Sequence, residues 1–272
     1  MKLIDFHTHA FPAAIAARTL ETLSRVSGIV PTGDGTRAGV VEEAEAAGAA
    51  LAVVLNVATK PGQEPTINDT AQTLDAVLSG EGNTVYFGSV HPQTPDAEGE
   101  VRRAHARGLK GIKIHPDYQH TELTHPSYEP IFHEAQARGL VVVTHAGWDP
   151  LSPEHVHATP EMAAAVLKNF PRLKLVLAHF GGMHRYDEVE ETLAGKYDNL
   201  YLDTAYSAGL ISPKQAERIT KRHGAHRVLF GSDFPWHTTR LERDFVLSLD
   251  LKEEEKERIL YRNAEDLLGM TV

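Results

Sequence analysis

The chain contains no cysteine, and this absence excludes several kinds of chemistry. Disulfide bonds, thiolate metal ligands and a cysteine nucleophile are all impossible. Any transition metal must therefore be held by nitrogen or oxygen donors, chiefly imidazole and carboxylate groups. The 16 histidines among 272 residues make such a site available.

Basic residues are scarce relative to acidic ones. The chain has 27 Lys and Arg against 37 Asp and Glu, a formal net charge of −10. Because this charge repels phosphate backbones and anionic lipid headgroups, nucleic acid and membrane surfaces are poor expected partners. We expect a small-molecule substrate, and a homodimer is compatible with this pattern.

Long apolar runs are also missing. No run reaches the roughly 20 residues that a membrane span needs. The strand-like KLIDF follows Met1 directly, without a basic segment or a cleavage site, so we expect a cytoplasmic protein. A length of 272 residues predicts one domain over residues 1–272.

Eight short apolar runs rich in β-branched residues alternate with longer helical patterns. This alternation predicts an α/β protein with a parallel sheet, and eight strands are the number that closes a (β/α)8 TIM barrel. The segment 27–37, rich in Gly, Thr and Pro, is predicted to be a loop. The predicted strands are 3–7, 50–57, 85–90, 111–115, 141–145, 173–179, 200–204 and 228–231. The predicted helices are 12–26, 66–78, 96–107, 128–138, 160–169, 185–193, 213–223 and 252–268.

Side chains able to bind a metal stand at the ends of these predicted strands. The carboxyl ends of parallel strands meet at one face of a barrel, where barrel enzymes have their active sites. We therefore expect these side chains to converge on one site. They are His7, His9, Lys113, His145, His179 and Asp233.

The strongest local motif is the HTH sequence that contains His7 and His9. Residues at i and i+2 of a strand point to the same side, so both imidazoles can reach one ion. The same alternation places Leu229, Gly231 and Asp233 on one face, provided that the extended backbone continues to Asp233. Both ends of the barrel sheet then contribute to one metal site.

His145 and His179 each end a mostly apolar run. A buried imidazole needs a polar partner, and a metal ion or a reactant can serve as one. Lys113 has three open roles: a carboxylated bridging ligand, a cation for a substrate carboxylate, or a partner for a buried acid. His115 shares the face of Lys113 and is a weaker candidate.

Two tryptophans and an arginine are candidates for substrate binding. Trp148 and Trp236 follow predicted strands five and eight, where they either wall the pocket or simply cover the barrel. Arg185 follows strand six and either holds a substrate carboxylate or forms a surface ion pair. Lys113 is a further candidate for the same carboxylate.

The set of motifs resembles the amidohydrolase superfamily, and within it the amidohydrolase-2 group of metal-dependent hydrolases and decarboxylases. The resemblance covers nearly the whole chain. The motifs that carry it are DFHTH at 5–9, GIKIHP at 111–116, THAG at 144–147, LAHFGG at 177–182, LFGSDFP at 229–235 and NAEDLLG at 263–269.

The resemblance implies a ligand set for the metal. His7, His9, His145 and Asp233 match the residues that hold the ion in the family. His179 matches a second metal ligand or a catalytic acid/base. Family members with two ions use a carboxylated lysine on strand four, which Lys113 matches by strand, so one or two ions per chain are expected.

The expected reaction is hydrolysis. A divalent ion on imidazole ligands lowers the pKa of bound water from about 15.7 to about 7. Zinc suits nitrogen and oxygen ligands, with manganese or iron as alternatives. Asp233 is the expected catalytic base and His179 the group that polarises an amide, lactone or ester carbonyl. Non-oxidative decarboxylation of an unsaturated or aromatic acid is the alternative, and a ligand-binding barrel without chemistry is a third reading.

Overall fold

The computed structural model describes residues 2–80 and 82–272. Eight parallel strands form one sheet, and each strand pairs with the next one along the chain. The strands are β1 Ile4–Thr8, β2 Leu51–Leu55, β3 Thr84–Ser89, β4 Gly111–Ile114, β5 Val141–Thr144, β6 Lys174–Leu177, β7 Leu200–Asp203 and β8 Val228–Leu229.

Backbone hydrogen bonds join β1 to the segment around and after β8. The Phe6 N–H donates to the Phe230 carbonyl at 2.8 Å, and the His9 N–H donates to the Phe234 carbonyl at 2.7 Å. The sheet therefore closes almost completely on itself. The (β/α)8 barrel predicted from the eight apolar runs is confirmed.

Helices alternate with the strands, and two of them were not predicted. The first, α2, begins after Thr36, whose side chain accepts a hydrogen bond from the Gly39 N–H, and it buries only small or short side chains. The second, α10, lies in the polar stretch after β8. The helices are α1 Ala13–Ser27, α2 Arg37–Ala47, α3 Glu64–Leu74, α4 Ala76–Ser79, α5 Ala97–Ala106, α6 Glu129–Arg138, α7 Pro160–Asn169, α8 Tyr186–Thr192, α9 Pro213–His223, α10 Thr239–Ser248, α11 Glu253–Glu257 and α12 Asn263–Leu268.

Some predicted boundaries differ from the observed ones. The predicted helix 66–78 is divided at Asp75 into α3 and α4, and the predicted helix 252–268 contains a π-helical turn at Arg258–Arg262. Strand β8 ends at Leu229, two residues before the predicted end. Among the described residues no helix is both long enough and apolar enough to span a lipid bilayer.

Alternate residues of the strands pack into two apolar layers. Val53 and Leu55 of β2 belong to an inner cluster with Phe6 and Phe87. Val54 of β2 belongs to an outer cluster that also contains buried residues of the surrounding helices. This arrangement fills the barrel with apolar side chains and leaves its carboxyl end for polar ones.

Candidate functional site

The carboxyl ends of the strands open into a cavity of about 980 Å³. This volume lies at the upper end of the usual range for small-molecule sites, roughly 300–1,000 Å³. The structure brings together all six side chains predicted to converge there, and each of them lines the cavity: His7, His9, Lys113, His145, His179 and Asp233. The cavity is the candidate active site.

His7, His9 and Asp233 form the first group able to hold a metal ion, here called the β1/β8 cluster. The Asp233 Oδ1 atom lies 3.0 Å from His9 Nε2 and 3.4 Å from His7 Nε2. Two ligand atoms that each lie about 2.1 Å from a tetrahedral ion are separated by roughly 3.4 Å. The spacing of these three side chains therefore fits a shared divalent cation.

Hydrogen bonds to the other ring nitrogens orient both imidazoles of this cluster. His9 Nδ1 donates to the Leu55 carbonyl at 2.7 Å, and His7 Nδ1 donates to Asp203 Oδ2 at 2.7 Å. With Nδ1 as the donor, the Nε2 atom of each ring faces Asp233 and is the atom that would bind a metal. Asp203 was not singled out from the sequence, although it ends the apolar run LYL much as the predicted ligands end theirs.

Asp233 reaches the site by a different route from the predicted one. The alternation of an extended strand does not continue to it, because β8 ends at Leu229 and Asp233 has a left-handed backbone with φ of 70°. Its N–H donates to the His7 carbonyl at 2.8 Å, which fixes the turn against β1. Burial raises the pKa of Asp233, but the His9 hydrogen bond and the nearby imidazoles outweigh this and hold the pKa below its usual value.

Gly231 allows this close approach between the end of the barrel sheet and β1. A Cβ atom at this position would lie 2.7 Å from the Cβ atom of His7. Any larger residue would therefore displace the backbone that carries a candidate metal ligand. The glycine was expected only as a member of an alternating face, and its role is a steric one.

Burial sets the protonation of the other histidines. Desolvation lowers the pKa of His7 and of His145 well below the ordinary value, and it also lowers the pKa of His179. These imidazoles are therefore neutral near pH 7, which is the form that binds a metal.

His145 and His179 face each other across the cavity floor. His179 Nδ1 donates to the Ala205 carbonyl at 2.8 Å, so its Nε2 atom has a free lone pair. His145 Nδ1 lies 3.1 Å from that Nε2 atom, and His145 Nε2 lies 3.3 Å from the Trp148 carbonyl. A neutral imidazole has one proton, so His145 can satisfy only one of these two contacts as a donor.

His115, His145 and Asp149 form a second group able to hold a metal, here called the β4/β5 cluster. Asp149 Oδ2 lies 3.7 Å from His115 Nε2 and 3.8 Å from His145 Nε2, too far for hydrogen bonds. Burial raises the pKa of Asp149 to about 7. The sequence indicated His145 strongly and His115 weakly, whereas Asp149 was missed although it follows Trp148 in the HAGWDP motif.

Lys113 is the buried cation of the site, with 1% of its surface exposed. Its Nζ atom donates to His7 Nε2 at 3.1 Å. Burial lowers the pKa of Lys113 to about 8, while the charges of Asp203 and Asp233 act in the opposite direction. The amine therefore lies directly beside a candidate metal ligand.

The candidates for substrate binding do not all reach the cavity. Trp148 and Trp236 line it, which matches the first of the two alternatives left open for them, the wall of the pocket. Arg185 is not among the described residues that line it, and its guanidinium pairs with Glu188 at 2.5 Å. Arg185 stands immediately before α8, so a carboxylate of that helix is its nearest partner.

The donor set fits a divalent cation. Neutral imidazoles and ionised carboxylates suit zinc, manganese and iron, and the chain has no sulfur ligand from cysteine that would select among them. The residues of the β1/β8 cluster and of the β4/β5 cluster all line the same cavity. The residues present are therefore compatible with a metal-dependent enzyme.

Comparison with known proteins identifies a curated relative and solved structures of similar fold. A curated relative, decarboxylase orsB of Emericella nidulans, is 28% identical over 142 residues. The match covers 45% of this chain and 41% of the relative, so the chain matches less than half of that protein's length.

Two solved structures show the same fold over nearly their full lengths. An uncharacterized TIM-barrel protein of Bordetella bronchiseptica has a TM-score of 0.76 and 20% identity, with 99% of both chains covered. The 5-carboxyvanillate decarboxylase of Novosphingobium aromaticivorans, complexed with manganese and 4-hydroxy-3-methoxy-5-nitrobenzoic acid, has a TM-score of 0.70 and 16% identity. That match covers 98% of this chain and 96% of the other.

The family model described as amidohydrolase matches residues 4–270. This range includes every strand of the barrel and every side chain of the two clusters. The resemblance inferred from the sequence motifs is therefore confirmed, and the chain belongs to the amidohydrolase-2 family.

Proposed function

We propose that this protein is a metal-dependent decarboxylase that removes CO2 from an aromatic or unsaturated carboxylic acid without an oxidant. The sequence favoured hydrolysis and kept decarboxylation as the alternative. The comparisons favour that alternative, because the curated relative and the manganese-bound structural neighbour are both decarboxylases by name. The site geometry supports the same choice through Lys113.

The observation that carries the proposal is the position of the Lys113 amine. In the described part of the chain its one hydrogen-bond partner is His7 Nε2, the lone pair that a metal ion would use. Once that lone pair binds a metal, the buried ammonium needs another acceptor, because an unpaired buried charge is costly. The carboxylate of an acid substrate would be such an acceptor.

The residues proposed to hold the metal are His7, His9 and Asp233, joined by His145 as the family resemblance implies. When bound, the divalent ion would polarise the oxygens of the acid and orient it for reaction. Manganese has the support of the structural neighbour, whereas zinc was expected from ligand chemistry alone. His179 stays a candidate ligand or acid/base.

The proposed reaction replaces the carboxylate with a proton. The C–C bond breaks, its electron pair stays on the substrate carbon, a proton adds there, and CO2 leaves. The Lys113 ammonium would hold the carboxylate before the bond breaks. Asp233 and His179 would transfer the proton, since both line the same cavity. The Nδ1–H of His179 donates to the Ala205 carbonyl, so its Nε2 atom would take up and release the proton.

The experiment uses tag-free protein loaded with manganese and a panel of hydroxybenzoic acids, with lactones and esters as the hydrolase panel. We expect CO2 release, and in D2O one deuterium on the carbon that lost the carboxylate. Water-dependent cleavage of a lactone or ester with no CO2 from any acid would overturn the proposal. A protein that binds manganese and turns over neither panel would favour the ligand-binding barrel.

The role of Lys113 has its own test. Lys113→Met should lower kcat/KM by roughly 100-fold, since it removes a charged contact in a buried site. Lys110→Met is the matched control, because Lys110 is exposed three residues earlier, before β4. Equal activity of the two variants would contradict the assignment of the carboxylate to Lys113.

A further inference from the structure

The cavity is one continuous space with two differently lined parts. The part described above holds the histidines, Lys113 and Asp233. A second part, here called the outer lobe, extends between α1 and α3 and is lined by Arg18, Thr22, Arg37, Thr66, Thr70 and Tyr86. A single-ring acid needs only a fraction of a space near 980 Å³.

Tyr86 provides an unused donor in the outer lobe. It belongs to β3 and is only 1% exposed, and its hydroxyl has no hydrogen-bond partner among the described residues. A buried polar group without a partner is unusual in a folded protein. Burial raises the pKa of Tyr86 to about 12, against the charge of the nearby Arg37, so the hydroxyl keeps its proton and can donate.

Arg18 and Arg37 add positive charge to the lining of the cavity, and Arg37 is near enough to Tyr86 for its charge to act on the hydroxyl. In the part of the chain that the structure describes, neither guanidinium has a carboxylate within ion-pairing distance, in contrast to Arg107 and Arg218, which pair with acidic residues. The acidic residues that line the whole cavity, Asp149 and Asp233, belong to the two metal-capable clusters. The lining of the outer lobe is therefore cationic and rich in donors, and the Asp75 carboxylate, which accepts a hydrogen bond from the Tyr86 N–H, lies outside that lining.

Apolar side chains cover the walls of the outer lobe. Ile15 and Leu23 of α1 and Ile67 and Leu74 of α3 line it beside the polar groups. Ile15 is 40% exposed, which is high for an isoleucine that faces a cavity. Such walls can cover a hydrocarbon segment between two charged ends of one molecule.

We infer that the outer lobe is a second anion-binding subsite, which takes the distal carboxylate or phosphate of an elongated, two-ended acid. Arginine suits either anion through paired N–H groups, and the Tyr86 hydroxyl adds a third donor. The inference rests on the proposed function in one respect, that the other end of the molecule is the reacting carboxylate held by Lys113. It narrows the substrate to acids with a second anionic group.

The test measures binding to the manganese-loaded full chain by isothermal titration calorimetry. The probes are straight-chain monocarboxylates and α,ω-dicarboxylates of four to twelve carbons, and ω-phosphonocarboxylates of the same lengths. We expect one chain length at which the two-ended probe binds at least tenfold more tightly than the monocarboxylate. A tighter phosphonate identifies a phosphate-type anion, and a tighter dicarboxylate identifies a carboxylate.

Amino-acid substitutions identify the residues that cause the tighter binding of the two-ended probe. Tyr86→Phe and Arg37→Gln should remove the advantage of the two-ended probe and leave monocarboxylate binding unchanged. Tyr186→Phe and Arg25→Gln are the matched controls, because the Tyr186 hydroxyl is also buried without a described partner and neither residue lines the cavity. Equal binding of one-ended and two-ended probes at every length, or an advantage that survives both test variants, would overturn the inference.

This experiment separates the subsite from the reaction. Lys113→Met should weaken both classes of probe, whereas Tyr86→Phe should weaken only the two-ended class. Failure of decarboxylation with a retained two-ended advantage would refute the proposed function and support the outer lobe. Decarboxylation of single-ring acids, with no tighter binding of two-ended probes, would support the proposed function and refute the outer lobe as an anion-binding subsite.

Discussion

The two ends of the barrel both hold histidines that donate to a backbone carbonyl, and they differ in the use of the second ring nitrogen. At the carboxyl end, His9 Nδ1 donates to the Leu55 carbonyl and Nε2 faces Asp233. At the amino end, His223 Nε2 donates to the Leu200 carbonyl at 3.1 Å, and Nδ1 accepts from the Gly195 N–H at 3.4 Å. Both ring nitrogens of His223 hydrogen-bond to the backbone, whereas Nε2 of His9 faces the cavity.

This difference separates a structural histidine from a candidate ligand better than burial does. His223 and the candidate ligand His7 are each 1% exposed, so burial does not distinguish the structural ring from the candidate ligand. Asn263 repeats the pattern at the amino end, where its amide donates to the Ala225 and Val228 carbonyls at 2.7 Å each. Among the described contacts, the side chains of His223 and Asn263 hydrogen-bond to the backbone, whereas those at the carboxyl end also contact one another.

The largest effect is expected from substitution of His9, with His223 as the structural counterpart. His9→Gln should lower decarboxylase activity by at least roughly 10³-fold and remove manganese, because a ligand of the β1/β8 cluster is lost. Its free energy of unfolding should change little. His223→Gln is the matched control, with activity within about twofold and a free energy of unfolding lowered by about 1–3 kcal/mol. Activity, metal content and urea unfolding are measured for both variants. Loss of stability in His9→Gln with loss of manganese in His223→Gln would refute the assignment of His9 as a ligand and of His223 as a structural residue.

The pH dependence of stability sharpens the role of His223. Burial lowers the pKa of His223 from 6.5 to about 4. Above pH 6.5 the ring is neutral in both states, and its burial has no protonation penalty. As the pH falls toward 4, the unfolded chain binds a proton that the folded chain excludes, so the free energy of unfolding falls by up to about 3 kcal/mol.

Urea unfolding of the wild type and His223→Gln between pH 7.5 and 4.5 isolates this contribution. Other titrating groups are common to both proteins and cancel in the difference. The advantage of the wild type should shrink as the pH falls below 6.5. A difference that stays constant with pH would show that His223 titrates alike in both states.

The orienting role of Asp203 predicts an intermediate effect at the carboxyl end. Asp203→Asn should weaken manganese binding by about 10–100-fold, because the carboxylate that fixes His7 Nδ1 is lost while the ligands remain. Asp198→Asn is the control, since that side chain is fully exposed and pairs with Arg227 outside the cavity. Manganese affinity is measured by competition with a chelator, and equal values for the two variants would contradict the role.

The smallest effect distinguishes the two metal-capable clusters. Asp149→Asn and His115→Ala should each leave one manganese per chain with an affinity within about tenfold of the wild type. The reason is that the carboxylate of the β4/β5 cluster lies 3.7 and 3.8 Å from its imidazoles, against 3.4 and 3.0 Å in the β1/β8 cluster. Elemental analysis of tag-free protein measures this, and complete loss of manganese in either variant would assign the ion to the β4/β5 cluster.

Much of the architecture could be predicted because the signals are local. Apolar runs with polar residues at their carboxyl ends predicted all eight strands and the convergence of six side chains. Helix α2 was missed because it buries only Val40, Ala44 and Ala47, a weak apolar stripe within an alanine-rich segment. The end of β8 was misplaced because a left-handed turn at Asp233 leaves no mark in hydrophobic periodicity.

The sequence by itself determined the barrel, the metal-binding character of its carboxyl end and the family, since each depends on residue types at short spacing. Only the tertiary structure decided which nitrogen of each imidazole faces the cavity, because His7 is oriented by Asp203, 196 residues away. It alone brought Tyr86 of β3 and Arg37 of α2 to the lining of one cavity. These choices depend on contacts between distant segments, which no local pattern encodes.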